Sequence, residues 1–257
     1  MHKYSQESTM FAPHIIWLDS ATSTNSELSH IIAQKRPEEW TIIAARSQTS
    51  GRGQAGNRWE AAPGMNICCS ICLYPQSVEP ADQFVISMAV AVGIARYLHE
   101  KSMPVKIKWP NDIYIQNKKI CGILIENQLM GEEICSSVIG IGLNVNQTEF
   151  GEDIPNPTSL KLETGLSFSI ETELLLMTQH IHRAVSQIYR GEVDQIMQAY
   201  HNNLYLRGVE HRFYEKSRPI DGIISQVAKS GGMTVILSLS GEQKTYFFKE
   251  ISYSPME

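Results

Sequence analysis

The sequence predicts an α+β fold, with strands and helices intermixed over residues 1–207 and a small all-β module over 208–257. Three observations carry this reading. Apolar runs of strand length, such as MNICCSICLY at 65–74 and ICSSVIGIGLNVN at 134–146, are interspersed with longer segments whose apolar residues recur at helical spacing. After about residue 208 the helical spacing stops, and short strand-like runs follow one another across glycine turns. At 257 residues and 42% hydrophobic, the chain can bury one large core with a small appendage.

Taken in order, APHIIWLD (12–19) reads as a short strand, and Thr24-Asn25-Ser26-Glu27 has the form of a capping box opening a helix to about Gln34. WTIIAAR (40–46) is a second strand that feeds a glycine-rich loop. Residues 65–74 are a third, apolar enough to be central. Residues 77–100 open with Pro80 and Asp82 and continue VISMAVAVGIARYL, a buried helix apolar on most sides. VKIKW (105–109) alternates as a strand does, and IYIQNKKICGILIE (113–126) reads as a hairpin turning near Gln116 to Lys118. Residues 134–146 form another strand, and 147–169 read as loop, with Pro155 and Pro157. Ser169 to Tyr189 carries helical spacing at Leu174, Ile181, Val185 and Ile188, and Val193 to Leu204 is a further helix. In the tail, VEHRFYEK, DGIISQVAKSGG, MTVILSLSGEQ and KTYFFKEIS each read as a strand.

A formal net charge of −5 and a pI near 5.9 argue against a nucleic-acid partner, though not against a local basic pocket. No run of about 18 apolar residues implies a membrane span, and the N-terminus lacks a secretory apolar core. Five cysteines, an odd number, fit reduced thiols in a cytoplasmic protein. Cys69 and Cys72 spell C-x-x-C, but on a strand positions i and i+3 point to opposite faces, so they read as small buried hydrophobes. The histidines form no metal-binding spacing.

Five short motifs could carry chemistry. SGRGQAGNRW (50–59) sets Gly51, Gly53 and Gly56 beside Arg52 and Arg58. Such a loop brings backbone N–H groups and fixed charge close to a phosphate or carboxylate, or it is a mobile surface loop. It is neither a P-loop nor a convincing dinucleotide fingerprint. KWPND (108–112) holds Lys108 and Asp112 on a stiff turn, with Trp109 as an apolar wall and Asp112 able to bind Mg²⁺; a packed turn with a capping aspartate reads equally well. Lys118 and Lys119 point to opposite strand faces, so at most one reaches a pocket, and both could be ordinary exposed hairpin lysines. Gly140 and Gly142 share a strand face, which leaves room for a ligand or for close strand packing. Ser23, Thr24 and Asn25 offer two hydroxyls and an amide to a neutral polar ring, and Thr24 also suits a helix cap.

Together and in this order, TSTN, SQTSGRGQAGNRWEAAPGMN, KIKWPNDIYIQNKKICGILIE and VIGIGLNVN resemble the biotin protein ligases over about residues 14–146, and more loosely to the C-terminus. The resemblance implies a central mixed sheet with flanking helices, of the class II synthetase type, followed by a small SH3-like β-barrel. It implies that biotin and ATP are joined, with Mg²⁺, into biotinyl-5′-AMP, from which a lysine of a biotin carboxyl carrier domain takes the biotin. By the same resemblance Lys119 and Arg52 are the catalytic pair. Ser23, Thr24, Asn25, Gln48, Gly51, Gly53, Gln54, Gly122 and Gly140 shape the biotin pocket, with Arg52 and Lys119 at the carboxylate. Arg58, Trp59, Asn111 and Asn144 lie on the adenylate side, and Asp112 is the candidate Mg²⁺ ligand.

Many family members carry a second arginine where this chain has Gln54, and further basic residues at Ala55 and Asn57, so the loop here is less positive. The ligase motifs begin by residue 14, which fits the short form without an N-terminal DNA-binding domain. No nucleic-acid or membrane partner is expected. Homodimerisation through the central sheet, frequent in the family, stays open. So does the identity of the acceptor carboxylase. The rival readings are a lipoate–protein ligase or octanoyltransferase, and a biotin sensor that has lost catalysis. GRGQ with its following tryptophan and KWPND favour biotin, and Arg52 and Lys119 argue for catalysis.

Overall fold

The computed structural model describes residues 11–152 and 154–254, so the outer limits of the two expected domains, at 1 and 257, lie outside the described residues. Seven strands form one mixed sheet in the order β1-β2-β3-β7-β6-β5-β4. Their spans are β1 His14–Leu18, β2 Thr41–Ala45, β3 Asn66–Leu73, β4 Val105–Lys108, β5 Asp112–Ile115, β6 Lys118–Met130 and β7 Glu133–Asn144. Only β1 and β2 pair in parallel, joined by the crossover helix α1, Thr24–Gln34; the other neighbours are antiparallel hairpins or longer returns. All eight residues of β3 are buried, as a central strand covered on both faces should be.

Strand alternation sorts the core into two layers. On one side Leu28 of α1 packs with Ile43, Cys72 and Val138. On the other, Cys69 joins a large cluster formed with α2 (Phe84–Glu100), α4 (Ile170–Tyr189) and α5 (Val193–Asn202). Cys69 and Cys72 thus lie in different layers, as expected. Burial raises the pKa of both thiols, and that of Cys68 to about 11.

The helical stretch Pro80–Glu100 has a mean hydropathy of 1.3 and is long and apolar enough to cross a membrane, which counting uninterrupted apolar runs did not reveal. It is a core helix by its packing. α2 contacts β4, β5 and β6 as well as α4 and α5, and crosses α4 so closely that a Cβ on Gly93 would lie 2.6 Å from Ile181 Cα.

Residues 208–254 form a five-stranded antiparallel sheet in the order β11-β10-β9-β8-β12. Its strands are β8 Glu210–Glu215, β9 Arg218–Val227, β10 Met233–Leu237, β11 Gln243–Tyr246 and β12 Ile251–Tyr253. Phe213, Ile224, Val227, Met233 and Val235 belong to the same apolar cluster as α2 and α4, so the core runs unbroken from the large sheet into the small one.

Several local expectations are corrected. The capping box does not form: Ser23 is the N-cap with no side-chain cap bond, and Thr24 begins the helix with its hydroxyl turned to Gln48. The continuous helix begins at Phe84, after a 3-10 turn at Pro80–Asp82. The loop-like 147–169 contains a short helix, α3 (Leu160–Thr164), capped by Ser159 and ended by Gly165 in the left-handed region at φ 73°. KTYFFKEIS divides between β11 and β12. Trp109 does not wall a pocket. It is buried, its peptide bond to Pro110 is cis, and its indole N–H donates at 2.9 Å to Gly231 O in the turn between β9 and β10.

Three histidines at packing junctions have pKa values lowered mainly by burial: His182 beside Phe11 and Trp40, His201 between α5 and β9, and His211 on β8. His201 Nε2 accepts the Val227 N–H at 3.0 Å. The unfolded chain takes up protons that these folded rings refuse, so stability is lost as pH falls through the ordinary histidine value of about 6.5. Thermal melts between pH 8 and 5 should show a falling Tm, with a shallower fall in His201→Gln. A wild-type Tm that is flat across that range would refute the assignment.

Candidate active site

A cleft of about 210 Å³ lies against the β6–β7 face of the large sheet. Ser23, Thr24 and Asn25 at the start of α1 form its buried polar end, with Gln48 beside them. Cys69, Ile123, Leu124 and Ile141 contribute apolar wall, and residues 52–59 form the rim. A second cavity, of about 420 Å³, adjoins it and is lined by Asn144, Phe150, Ile154, Pro155 and Pro157. The two cavities share Asn57, Arg58, Trp59, Asp112 and Lys119. A ligand in one therefore meets a ligand in the other across two cations, a carboxylate and an indole.

The polar end is wired before any ligand arrives. Gln48 Oε1 accepts the Thr24 N–H at 2.8 Å. Ser70 Oγ lies 2.8 Å from Thr24 Oγ1 and 2.6 Å from Asn25 Oδ1. Asn25 Nδ2 donates to Glu126 Oε2 at 2.8 Å and, at 3.3 Å, to Leu124 O. Glu126 also takes both terminal nitrogens of Arg52, at 2.9 and 2.7 Å. This chain of contacts links the helix start, the segment after β2, β3, β6 and the 50–59 loop, so the polar end is held by several separate elements.

The loop itself is a tethered hairpin. Ser50 N–H donates to Thr22 O, Trp59 N–H to Gly51 O and Gly53 N–H to Asn57 O, at 2.9, 3.0 and 2.7 Å. A Cβ on Gly51 would fall 2.3 Å from Trp59 O, which explains glycine at the hairpin base. Trp59 lies across Gly122 and Gly142, neighbours on β6 and β7; a Cβ on Gly142 would meet the indole at 2.2 Å. The Lys119 ammonium sits 5.7 Å from the Trp59 ring centroid and 2.8 Å from Asp112 Oδ1. Beyond that charge contact, the buried Asp112 Oδ1 has no hydrogen-bond partner among the described residues. Backbone bonds pin the 147–159 loop onto Lys119: its N–H donates to Asn156 O at 2.7 Å and its carbonyl accepts from Thr158 N–H at 2.9 Å.

Residues 17–144 match the model of the Biotin/lipoate A/B protein ligase family. A biotin–[acetyl-CoA-carboxylase] ligase of Paracoccus denitrificans is 30% identical over 175 residues, which are 65% of this chain and 70% of that one. The chain belongs to the biotin protein ligase family. This family member is also 34% identical over 171 residues to the bifunctional ligase/repressor BirA of Bacillus spizizenii, covering 63% of this chain and 51% of that one. It thus spans about half the length of several curated relatives it matches. In fold it superposes on a biotin protein ligase from Aquifex aeolicus, solved with biotin and ATP. The TM-score is 0.79 at 24% identity, over 95% of this chain and 99% of that one.

In this ligase-family chain the structure gathers the expected site residues with two qualifications. Ser23, Thr24, Asn25, Gln48, Arg52, Gly53, Gln54, Arg58, Trp59, Asp112, Lys119, Gly122 and Gly140 all line the first cleft, and Gly51 lies at its rim's base. Asn111 lines the first cleft rather than the second, and its amide is spent on Ile123 O at 2.8 Å. Asn144 does line the second cavity; its amide donates to Thr158 O, and its buried Oδ1 has no partner among the described residues. The space at Gly140 and Gly142 is filled by Asn25 and Trp59 of the same chain. Lys118 turns away to Glu163, at 2.9 Å, while Lys119 faces the site. Sequence reasoning missed Glu126, Ser70 and Phe248. Glu126 shares a strand face with Gly122 and Leu124, and Ser70 is a lone hydroxyl in an apolar strand, so both left a signal. Phe248 reaches the cleft from the small sheet and left none.

Proposed function

We propose that this chain attaches biotin to a lysine of a biotin carboxyl carrier domain, at the expense of ATP and through biotinyl-5′-AMP. The single observation that supports it best is the shared wall between the two cavities, in a chain of this family. The smaller cleft, with a polar end and apolar walls, suits a ureido ring followed by an aliphatic tail. Ser23, Thr24, Asn25 and Gln48 bond the ring, and the carboxylate points to Lys119. In the larger cavity the unpartnered Asn144 Oδ1 accepts an exocyclic amine of the base.

In the first step a biotin carboxylate oxygen attacks the α-phosphorus; a P–O bond forms, and the bond to the leaving pyrophosphate breaks. Two anions must meet. At about 4 Å and an effective dielectric of about 20 each like-charge contact costs roughly 4 kcal/mol. Lys119, Arg52 and Arg58 offset that, and do so most in the transition state. Arg52 can be recruited because its pair with Glu126 is half-exposed and worth at most about 1 kcal/mol. In the second step the carrier lysine attacks the anhydride carbonyl, and AMP leaves.

Among the described residues no cluster of three His, Cys, Asp or Glu could hold a metal by itself. One buried carboxylate oxygen, on Asp112, fits Mg²⁺ of the kind whose remaining ligands are phosphate oxygens and water. Bound there, the ion would neutralise phosphate charge. Asp112 would hold it, and Lys119 would turn from Asp112 to the substrates.

The test is to incubate the protein with ATP, Mg²⁺, biotin and a carrier domain, and to weigh the carrier, with lipoate and a lipoyl domain in parallel. A biotin-sized, ATP-dependent gain supports the reading. A gain on the lipoyl domain alone would move the chain to the lipoate branch. The less positive loop has a consequence of its own: Gln54→Arg is expected to slow biotinyl-adenylate release by about tenfold, read by filter retention. Equal off-rates would remove position 54 from adenylate retention.

A further inference from the structure

One apolar side chain of the small sheet stands at the cleft of the large one. Phe248 lines that cleft, and every other lining residue among those described lies between Ser23 and Gly142. Phe248 sits in the turn joining β11 to β12 and is 42% exposed. The turn is built to hold it there. Phe247 N–H donates to Glu250 Oε2 at 2.7 Å, Glu250 N–H donates to Phe247 O at 3.0 Å, and Phe248 bridges to Ile251. Lys249 closes the turn at φ 72°, in the left-handed region that residues other than glycine seldom adopt. The Phe247 ring rests on the β9–β10 turn: a Cβ on Gly232 would lie 3.4 Å from it. Gly231 of that turn accepts the Trp109 indole N–H, and Trp109 leads into Pro110 and Asn111, which line the cleft themselves. The aromatic tip is therefore tied, through one carbonyl, to the segment that carries Asp112.

The rest of the lining near Asp112 is also poor in free polar groups. Pro110 has no N–H, Ile123 is apolar, and the Asn111 amide is spent on Ile123 O. Asp112 follows Pro110 and Asn111 directly and pairs in register with Gly122, the neighbour of Ile123. The charged end of the cleft is thus flanked by residues that offer water little to bond. The Phe248 side chain has no hydrogen-bonding group, so what it contributes is bulk that displaces water. A lone exposed phenylalanine on a surface needs no explanation; one held at a reactive cleft by a left-handed turn does. A mixed anhydride of a carboxylic acid and a phosphate is open to water as well as to an amine. Water attack at the anhydride carbonyl forms a C–O bond and breaks the one to the phosphate oxygen, releasing the acid and AMP, with a proton going to solvent. Exclusion of water is what keeps such an intermediate for its acceptor.

We propose that Phe248 is a water-excluding rim of the cleft, which keeps the acyl-adenylate from hydrolysis until the acceptor lysine arrives. The proposal rests on the adenylation reading, because only an intermediate that waits in the cleft needs this protection. Phe248 takes no part in forming the adenylate, which is left to Lys119 and the arginines. It sets how the finished intermediate divides between water and lysine. The small sheet thereby acts on the second half of the reaction through a single side chain.

The test is a single turnover of the full chain, in excess over ATP, with biotin and Mg²⁺ and no carrier, on wild type, Phe248→Ala and Phe248→Tyr. Chromatography separates biotinyl-adenylate from AMP, so formation and hydrolysis are read on one sample. Phe248→Ala should form the adenylate within about twofold of the wild-type rate and hydrolyse it about tenfold faster. Phe248→Tyr keeps the ring and should hydrolyse the adenylate as wild type does. The adenylate off-rate, taken by filter retention, separates attack within the cleft from escape into solution. Hydrolysis that rises only in step with the off-rate would overturn the proposal, as would equal hydrolysis in folded Phe248→Ala and wild type. Should Phe248→Ala fail to fold by circular dichroism, Phe248→Gln, which keeps length and loses the apolar face, decides in the same way. No adenylate from wild type would sink the ligase reading and this proposal with it. Adenylate that forms and is equally resistant to water in both proteins sinks this proposal alone.

Discussion

Lys119→Met is expected to lower the rate of biotinyl-adenylate formation by roughly 10²–10³-fold, the usual consequence of removing one preorganised donor from a developing charge. The side chain is the one ammonium in the wall common to both cavities, beside Asp112 and over Trp59. Methionine keeps the aliphatic stem and its contact with the indole, so the loss reports charge rather than packing. On the proposed reading, removal of the charge leaves the carboxylate and the α-phosphate to Arg52 and Arg58, the other side-chain cations lining the cleft among the described residues. Pyrophosphate release in single-turnover experiments is the measurement, with biotin affinity taken on the same protein. A fall in kcat with biotin affinity nearly kept would match a group that acts in the transition state. A turnover within about tenfold of wild type would take Lys119 out of the chemistry.

The second large effect lies at Gly140. A Cβ there would stand 2.3, 2.9 and 3.0 Å from Oδ1, Cγ and Nδ2 of Asn25, so the whole amide must move. Asn25, which lines the cleft, would then give up its bonds to Ser70 and Glu126. Gly140→Ala is expected to cost about 1–3 kcal/mol of stability, as overpacking and unmade buried hydrogen bonds do. The same displacement should weaken biotin binding by roughly 10–100-fold. Chemical denaturation and calorimetry read the two effects. Asn25→Ala combined with Gly140→Ala should be less damaging than the sum of the single changes, because the clash has lost its partner. Wild-type biotin affinity in Gly140→Ala would separate the Asn25 network from biotin recognition.

Much of this was legible in the sequence because periodicity and glycine placement are local signals. The crossover helix, the buried third strand and the long hairpin all announced themselves in runs of residues. The opposite orientation of Lys118 and Lys119 followed from strand geometry alone. What stayed hidden were the contacts between distant segments. Thr24 reads as a cap until Gln48 and Ser70 arrive from other strands to claim its hydroxyl. Gly142 reads as room for a ligand until Trp59, more than eighty residues earlier, is seen lying on it. Trp109 looks like a pocket wall beside a lysine and an aspartate, yet its partner is a carbonyl in the turn between β9 and β10. Each of these misreadings has the same source: a residue was assigned to a ligand or a local turn, when its partner lay elsewhere in the chain.

The unbroken core between the two sheets has a consequence for how the molecule comes apart. Trp109 donates to Gly231, the Phe84 N–H to Lys229 O at 3.1 Å, the Val227 N–H to His201 and Arg207 Nε to Ser225 O at 2.9 Å, so backbone and side chains of both parts are bonded across the junction. Apolar residues on both sides fill one continuous cluster. A chain cut near residue 207 would lay open the α2 surface and the tryptophan that anchors KWPND, and Lys108 and Asp112 are borne on that same turn. The tail therefore serves as a keystone: melt it, and the reaction centre loses its shape before any residue in the cleft has changed.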